Sequence, residues 1–525
     1  MSVAPPPISV AEAMSRSDFY PGGMPVTVRE THTAWVFLAG AHAYKVKKPV
    51  RMAFLDFSTL GRRRAACREE VRVNADLAPQ LTMRLRAVVP AGDSYMLAGE
   101  DAGGAVEYAI EMRRFDEQQT MAALVERGEL ADEHVVAVAR RLADFHGGAR
   151  VLAPDDHVGD VRGACDDNMR ELFALVANDA VARRLLAADR FAGAFLVTRR
   201  EQIAARAERG CIRDGHGDLR AEHVVLEDPL AIVDRLEFDA RLRAIDVTDD
   251  LAFLVMDLER LKAGAAAQLL VRAYREAGGD PGDDALLSFY GAYRALVRAK
   301  VALLLASQIG GGDRAAVARE RASDLLALAE RFAWRARGPL VLAVSGPPAS
   351  GKSTLAAAVA RRSGWPVLSS DAVRKRRRGI DLAARAPQDD YAAAAREAVY
   401  CALGEQARAR LAGGEDGVIA DATFGDRRLR AAFLAGLGAE RRLLRAVECQ
   451  ASAALRASRA QERAPAEARG SDAGAEVAAR LGASHEGWDE LTDDVVVTLR
   501  TGAEADALVD QLADWLDTRH PLARA

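Results

Sequence analysis

The stretch GPPASGKST, from Gly346 to Thr354, constrains the fold of this chain more than any other. Gly346, four further residues, then Gly351, Lys352 and Ser353 is the spacing of a phosphate-binding loop. It lies between the apolar run PLVLAVSG and the alanine-rich LAAAVARR, so a strand feeds a tight loop that opens a helix. The loop Gly346, Pro347, Pro348, Ala349, Ser350, Gly351, Lys352, Ser353 and Thr354 can cradle a triphosphate with backbone N–H groups and the positive end of the helix dipole. Lys352 would reach the outer phosphates, and the Ser353 hydroxyl would hold Mg²⁺.

That loop opens only the last third of a chain of 525 residues, which is too long for one core. Half the residues are apolar, and alanine and arginine are frequent enough for helices to dominate. A net charge of −4 demands no bulk binding to nucleic acid or to an anionic membrane. Cys67, Cys165, Cys211, Cys401 and Cys449 are scattered without paired spacing, which argues against a disulfide framework or a zinc cluster and points to a reducing cytosol. The N-terminus carries no export signal, and no segment stays apolar for the eighteen residues a membrane span requires. A cytoplasmic protein is the expectation.

From Val26 the run VTVRETHTAWVFLAGAHAYKVKKPV alternates β-branched and aromatic residues, broken at Gly40, and predicts an antiparallel meander. TLGRRRAACREEVRVNADLAP then predicts a helix with Cys67, Glu70, Asn74 and Leu77 on one face, ended by Pro79. A strand pair near 84 to 113 turns at Gly103 and Gly104, and the chain is helical from Thr120 to Ala207. In DGHGDLRAEHVVLEDPLAIVDRLEF, a loop carries Asp218 and a short hairpin ends at Asp234. One carboxylate near an acceptor hydroxyl and another near Mg²⁺ is what phosphoryl transfer needs. A strand lysine, a helix glutamate, a loop aspartate and a post-strand aspartate follow in the order of a protein-kinase-like site. Downstream, Asp246 and Asp250 read as caps and loop anchors. The row Tyr290, Arg294 and Arg298 reads as a face that is solvated or pairs with neighbouring acids, with binding of an anionic substrate group as the alternative.

HGDL with its hairpin and later Asp resembles the aminoglycoside phosphotransferase family, relatives of the protein kinases, over roughly residues 26 to 310. The resemblance implies that Lys45 pairs the nucleotide phosphates and Glu70 holds Lys45, with Lys47 and Glu69 as the alternatives. It implies that Asp218 is the catalytic aspartate and Asp234 the magnesium ligand. Where the family has an Asn five residues after the catalytic Asp, this chain has His223, a poorer ligand for Mg²⁺ in the same place. No glycine-rich loop precedes Lys45; the hydroxyls of Thr31 and Thr33 are the available substitutes.

Beyond Gly310 to Gly312, residues 313–338 read as an amphipathic helical linker, and the second domain begins at Pro339. There WPVLSSD and GVIADATF read as strands ending in Asp371 and Asp421. Ligands sit at the carboxyl ends of such strands, so both aspartates should converge on the phosphate loop, Asp371 toward an acceptor hydroxyl and Asp421 toward Mg²⁺. Residues 339 to 500 resemble the small P-loop kinases of the polynucleotide kinase, gluconate kinase and zeta toxin type. That likeness implies a role for Arg374 toward the acceptor's phosphate or a nearby anion, and a lid bearing Arg456, Arg459 or Arg463.

These readings give an α+β protein-kinase-like domain over 1–312, the linker over 313–338 and an α/β P-loop domain with a parallel sheet over 339–525, helix-rich throughout. Both halves together resemble a class of fused bacterial proteins, and the function expected is ATP- and Mg²⁺-dependent phosphoryl transfer at two nucleotide sites. Small hydroxyl compounds are the expected acceptors, ahead of nucleic acid. Three alternatives stay open: an N-terminal half that only binds or regulates, a P-loop half that acts as a nucleotide-driven switch, and a P-loop half that phosphorylates the 5′-hydroxyl of a polynucleotide.

Overall fold

A computed structural model describes residues 8–51, 55–176, 178–381, 387, 392–462 and 485–519. The chain packs as two units, Met1–His157 with Ala204–Asp283, and Val158–Ile203 with Asp284–Ala525.

In the first unit a six-stranded antiparallel sheet is built from β1 (Val26–Glu30), β2 (Ala34–Ala39), β3 (His42–Lys47), β4 (Arg84–Ala91), β5 (Ser94–Gly99) and β6 (Glu107–Arg113). Its order is β1-β2-β3-β6-β4-β5. The segment 84–113 therefore holds three strands rather than the expected pair: the short turn at Gly92, with φ +59°, closes the β4–β5 hairpin, and the loop through Gly103 and Gly104 carries the chain past β4 to β6. Alternation sorts the two faces. Phe37, Tyr44, Val46 and Val88 pack under Met14 and Tyr20, while Ala87, Tyr108 and Ile110 pack against Cys67 of the helix Leu60–Asn74. The Thr59 hydroxyl caps that helix by accepting from Arg62 N–H. Below follow the strands β7 (Ile212–Asp214), β8 (Val224–Val225), β9 (Ala231–Ile232) and β10 (Ala244–Asp246), paired β7 with β10 and β8 with β9. The apolar helix Val247–Arg260 begins directly after β10.

The second unit is centred on β11 (Leu340–Ser345), with β12 (Val367–Ser369), β13 (Gly417–Asp421), β14 (Leu444–Gln450) and β15 (Val496–Arg500). All pairings are parallel, in the order β12-β13-β11-β14-β15. Both faces are apolar, as a parallel sheet covered on both sides requires: Val341, Ala343, Val418 and Ala420 on one, Leu340, Leu342, Val344 and Ile419 on the other. The helix Asp313–Ala336, foreseen as a linker, buries Leu325, Leu326, Phe332 and Trp334 within this unit. Tyr290 and Arg294 are likewise buried, and Lys300 pairs with Glu171 at 3.1 Å. Among the described residues no helix is long and apolar enough to cross a membrane.

Candidate functional site

In the second unit β11 runs into the phosphate loop, and the helix Lys352–Ser363 starts at its end. The backbone shows why glycine stands at both ends of the loop. Gly346 has φ +142° and a Cβ there would lie 2.5 Å from Ser350 Oγ; Gly351, the residue before the helix, has φ +93°. Gly346 N–H donates to Thr423 O at 3.1 Å, which ties the loop to the chain leaving β13. Thr501 Oγ1 hydrogen-bonds Ser350 O, and Trp488 Nε1–H donates to Ser345 Oγ at 3.0 Å.

Asp421 ends β13, the strand beside β11, in register with Val344. It is buried, and its Oδ1 has no hydrogen-bond partner among the described residues. Ser350 Oγ is orphaned in the same way. Two buried acceptors without partners at the carboxyl edge of the sheet fit a site made for something else to fill, and a hydrated divalent ion with its phosphates matches Asp421 and the exposed Ser353. Among the described residues no group of three or more His, Cys, Asp or Glu forms a self-sufficient metal site, so an ion here would take further ligands from phosphate and water.

Asp371 stands in the first turn of the helix Ser370–Arg378 rather than at a strand end. Ser369 ends β12 opposite Asp421 and caps that helix, its hydroxyl accepting from Asp371 N–H and Ala372 N–H. The Asp371 carboxylate pairs with Arg374 and with the buried Lys375, each at 2.8 Å, so the basic run RKRRR from Arg374 to Arg378 is partly consumed internally. Arg459 donates to Thr501 O at 2.5 Å, and its guanidinium would stand 3.2 Å from a Cβ on Gly351, beside the loop. Burial, then the charges of Arg430, Arg456 and Lys352, push the His485 pKa down, which puts Arg456 within electrostatic reach of that end of the site. Arg463 lies outside the described residues.

In the first unit Lys45, central in the sheet, reaches Glu70 Oε1 at 2.8 Å and Asp234 Oδ1 at 2.9 Å. Lys47, on the same face of β3, reaches Glu70 Oε2 at 2.6 Å and also pairs with Glu237. Both lysines thus share Glu70, while Glu69 is engaged by Arg72 and Arg243. Burial alone would lower the Lys45 pKa, but the charges of Asp234, Glu70 and Glu237 outweigh it and hold the ammonium well above its ordinary value. In turn Lys45 holds the half-exposed Asp234 far below the usual carboxylate range. The Thr31 hydroxyl closes the β1–β2 turn, accepting from Ala34 N–H and donating to Ala34 O, each at 3.0 Å.

Asp218 lies on the loop before β8, its carboxylate gripped by Arg220: Nε donates to Oδ1 at 3.0 Å and Nη2 to Oδ2 at 2.9 Å. The same Nη2 donates to His223 Nε2 at 2.9 Å, and His223 Nδ1 donates to Asp218 O at 2.9 Å. A carbonyl only accepts, so Nδ1 carries the proton and Nε2 offers its lone pair to the guanidinium. His223 therefore has no lone pair left for a metal in this arrangement. Asp246 caps the helix Val247–Arg260 and pairs with the buried Arg206 at 2.7 Å; Asp250 accepts His216 N–H at 2.6 Å and Gly217 N–H at 3.0 Å. These anchors and Arg220 are site residues whose partners the linear pattern does not show; the His at 223 was the one local sign that this loop is balanced differently.

His216 is fully buried, and burial lowers its pKa to about 4 despite the nearby Asp250. Its folded pKa lies below the unfolded value, so the unfolded chain takes up the extra proton and the stability of the first unit is lost as pH falls from about 6.5 toward 4. Between pH 7 and pH 5 this one group should lower the unfolding free energy by about 2 kcal/mol. Urea unfolding at the two pH values, compared with His216→Gln, checks it: the substitution should flatten the dependence, and an equally steep variant would refute the assignment.

A family described as AAA domain matches residues 341–487, which holds the phosphate loop, Asp371 and Asp421. A sugar kinase from Janibacter sp. HTCC2649 is similar at 20% identity over 35% of this chain and 99% of its own, with a TM-score of 0.26. A choline/ethanolamine kinase family protein from Mesorhizobium loti is similar at 16% identity over 61% of this chain and 94% of its own, with a TM-score of 0.33. The matched AAA domain of one unit holds the phosphate loop, and in the other unit Lys45 meets Glu70 at 2.8 Å and Asp234 at 2.9 Å. An uncharacterized protein of Mycobacterium tuberculosis (strain ATCC 25618 / H37Rv) is 36% identical over 477 residues, 88% of this chain and 91% of its own. A match of that identity and length runs through both units, and the chain belongs to the family of that mycobacterial protein.

Proposed function

We propose that this protein is a Mg²⁺-dependent phosphotransferase with two nucleotide sites, one in each unit, each passing the γ-phosphoryl group of ATP to a hydroxyl of a small molecule. The observation that carries the reading is the orphaned Asp421 carboxylate oxygen beside a complete phosphate loop. In the P-loop unit the loop amides and Lys352 bind the phosphates, while Ser353 and Asp421 would hold Mg²⁺, which supplies charge neutralisation on the transferring group. Asp371 takes the proton of the acceptor hydroxyl as its oxygen bonds to phosphorus and the bond to the β-phosphate oxygen breaks. Arg459, beside Gly351 of the loop, and Arg374, paired with Asp371, would neutralise the phosphoryl oxygens. In the first unit Lys45, held by Glu70, takes the phosphates, Asp234 takes the ion and Asp218 orients the acceptor. A small acceptor is favoured over nucleic acid because Arg374 and Lys375 of the basic run are turned onto Asp371. The free thiols of all five cysteines suit a reducing cytoplasm.

Calorimetric titration of the full chain with ATP and Mg²⁺ tests the reading. Two sites are expected in the wild type and one in Lys352→Ala. One site falling to none would remove nucleotide chemistry from the first unit and leave it a binding or regulatory module.

A further inference from the structure

Kinases with this arrangement of Asp218 and Asp234 hold two divalent ions, one of them on the amide that follows the catalytic aspartate. That second position is closed here. We propose that Arg220 is a resident cation that fills it, so that nucleotide enters the first unit with one divalent ion instead of two. The inference rests on the two-site reading above.

Its first support is the guanidinium itself. It is 12% exposed and donates to both oxygens of Asp218 and to His223 Nε2, and it pairs with Glu222 through Nη1. A fixed monovalent cation thus occupies the catalytic carboxylate and the imidazole lone pair that would face an ion at this position, and it takes the neighbouring Glu222 as well. The second support is the imidazole. With Nδ1–H committed to Asp218 O and Nε2 to Arg220, His223 could ligate only after the guanidinium left, which would expose Asp218 as well. An ion brought to this point would also meet the guanidinium's charge at contact distance, in a half-dry site where such repulsion is large. Asp234 is differently placed: it is half-exposed, and Lys45 engages its Oδ1, which leaves the site with a carboxylate suited to one ion bridged to phosphate.

The test counts ions rather than turnover. Mn²⁺ binding is measured by electron paramagnetic resonance on the full chain carrying Lys352→Ala and Asp421→Asn, which disable the P-loop unit, at saturating AMP-PNP. One Mn²⁺ per bound nucleotide is expected. Adding Arg220→Gln should raise the count to two, and Arg220→Lys, which keeps the charge, should leave it at one. Two ions with Arg220 intact, or one ion in a folded Arg220→Gln protein, overturns the inference while the nucleotide site stands. Failure of AMP-PNP to bind overturns the two-site reading and the inference with it. If Arg220→Gln does not fold, the count with Arg220 intact decides alone.

Discussion

Asp421→Asn is expected to lower Mg²⁺-dependent ATP turnover by the P-loop unit about 10²–10³-fold, the loss typical of removing one preorganised electrostatic group from a transferring centre. The protein should stay folded. Among the described residues Asp421 Oδ1 has no partner, so the buried carboxylate contributes little to stability and its neutral isostere leaves no such bond broken. Activity and stability therefore separate at this residue, which is unusual for a buried charge. The measurement is ATP turnover over a Mg²⁺ titration in full-length protein whose first site is silenced by Asp234→Asn, with thermal melting of the same preparations. The expected pattern is a fallen rate that excess Mg²⁺ restores in part, with a melting temperature equal to or above the parent's. Turnover within a factor of three of the parent would remove Asp421 from the site. A rate and a melting temperature that fall together would make it a structural residue instead.

The phosphate loop was legible because every part of its chemistry is local: the glycines with positive φ, the lysine, the hydroxyl and the helix that starts at Lys352 lie within nine consecutive residues. Lys45 and Glu70 were legible from the order of a strand and a helix, and they meet at 2.8 Å. What the linear pattern blurred is which lysine Glu70 would hold, since Lys45 and Lys47 are two apart on one strand face and the glutamate has an oxygen for each. Asp371 shifted from strand end to helix start because Ser369 takes the N-cap, its hydroxyl accepting from Asp371 N–H and Ala372 N–H. The division of the chain into units was not local at all. Residues 158–203 pack with 284–525 across a long insertion of first-unit chain, and only tertiary packing decides such a choice. Arg220 is adjacent in sequence to everything it touches, yet its role depends on which imidazole nitrogen faces it, and that is a property of the folded loop.

The second large effect is expected at Asp250, a residue that touches neither phosphate nor acceptor. Its fully buried carboxylate accepts His216 N–H at 2.6 Å, Gly217 N–H at 3.0 Å and His146 Nε2–H at 3.2 Å, while His146 Nδ1 accepts from Tyr274 OH at 2.8 Å. On the other side Arg235 donates to Gly215 O at 2.8 Å and Asp214 O at 2.5 Å. The loop that presents Asp218 is thus held through Asp250 and Arg235, with Gly215 N–H donating to Arg243 O at 2.7 Å and Leu236 N–H to His216 O at 3.1 Å besides. Glycine is required within it: Gly217 has φ +84° and a Cβ on Gly215 would lie 2.8 Å from Asp250 Oδ2. Burial opposes ionisation of Asp250, yet the hydrogen bond and charge of His146 and the nearby His216 keep its pKa below the usual range, so an anion is what the loop amides meet. Asp250→Ala strands two buried amides and a buried imidazole, and should destabilise the first unit by about 3–5 kcal/mol. Asp250→Asn keeps one acceptor and should lose roughly half as much. Hydrogen exchange read on peptides spanning 212–219 separates this from general loosening: those amides should exchange at least about 10²-fold faster in Asp250→Ala, with β11–β15 unchanged. Equal protection in both proteins would mean that Arg235 and the backbone bonds to Arg243 and Leu236 hold the loop without Asp250, and the positioning of Asp218 would then have to be sought in Arg220.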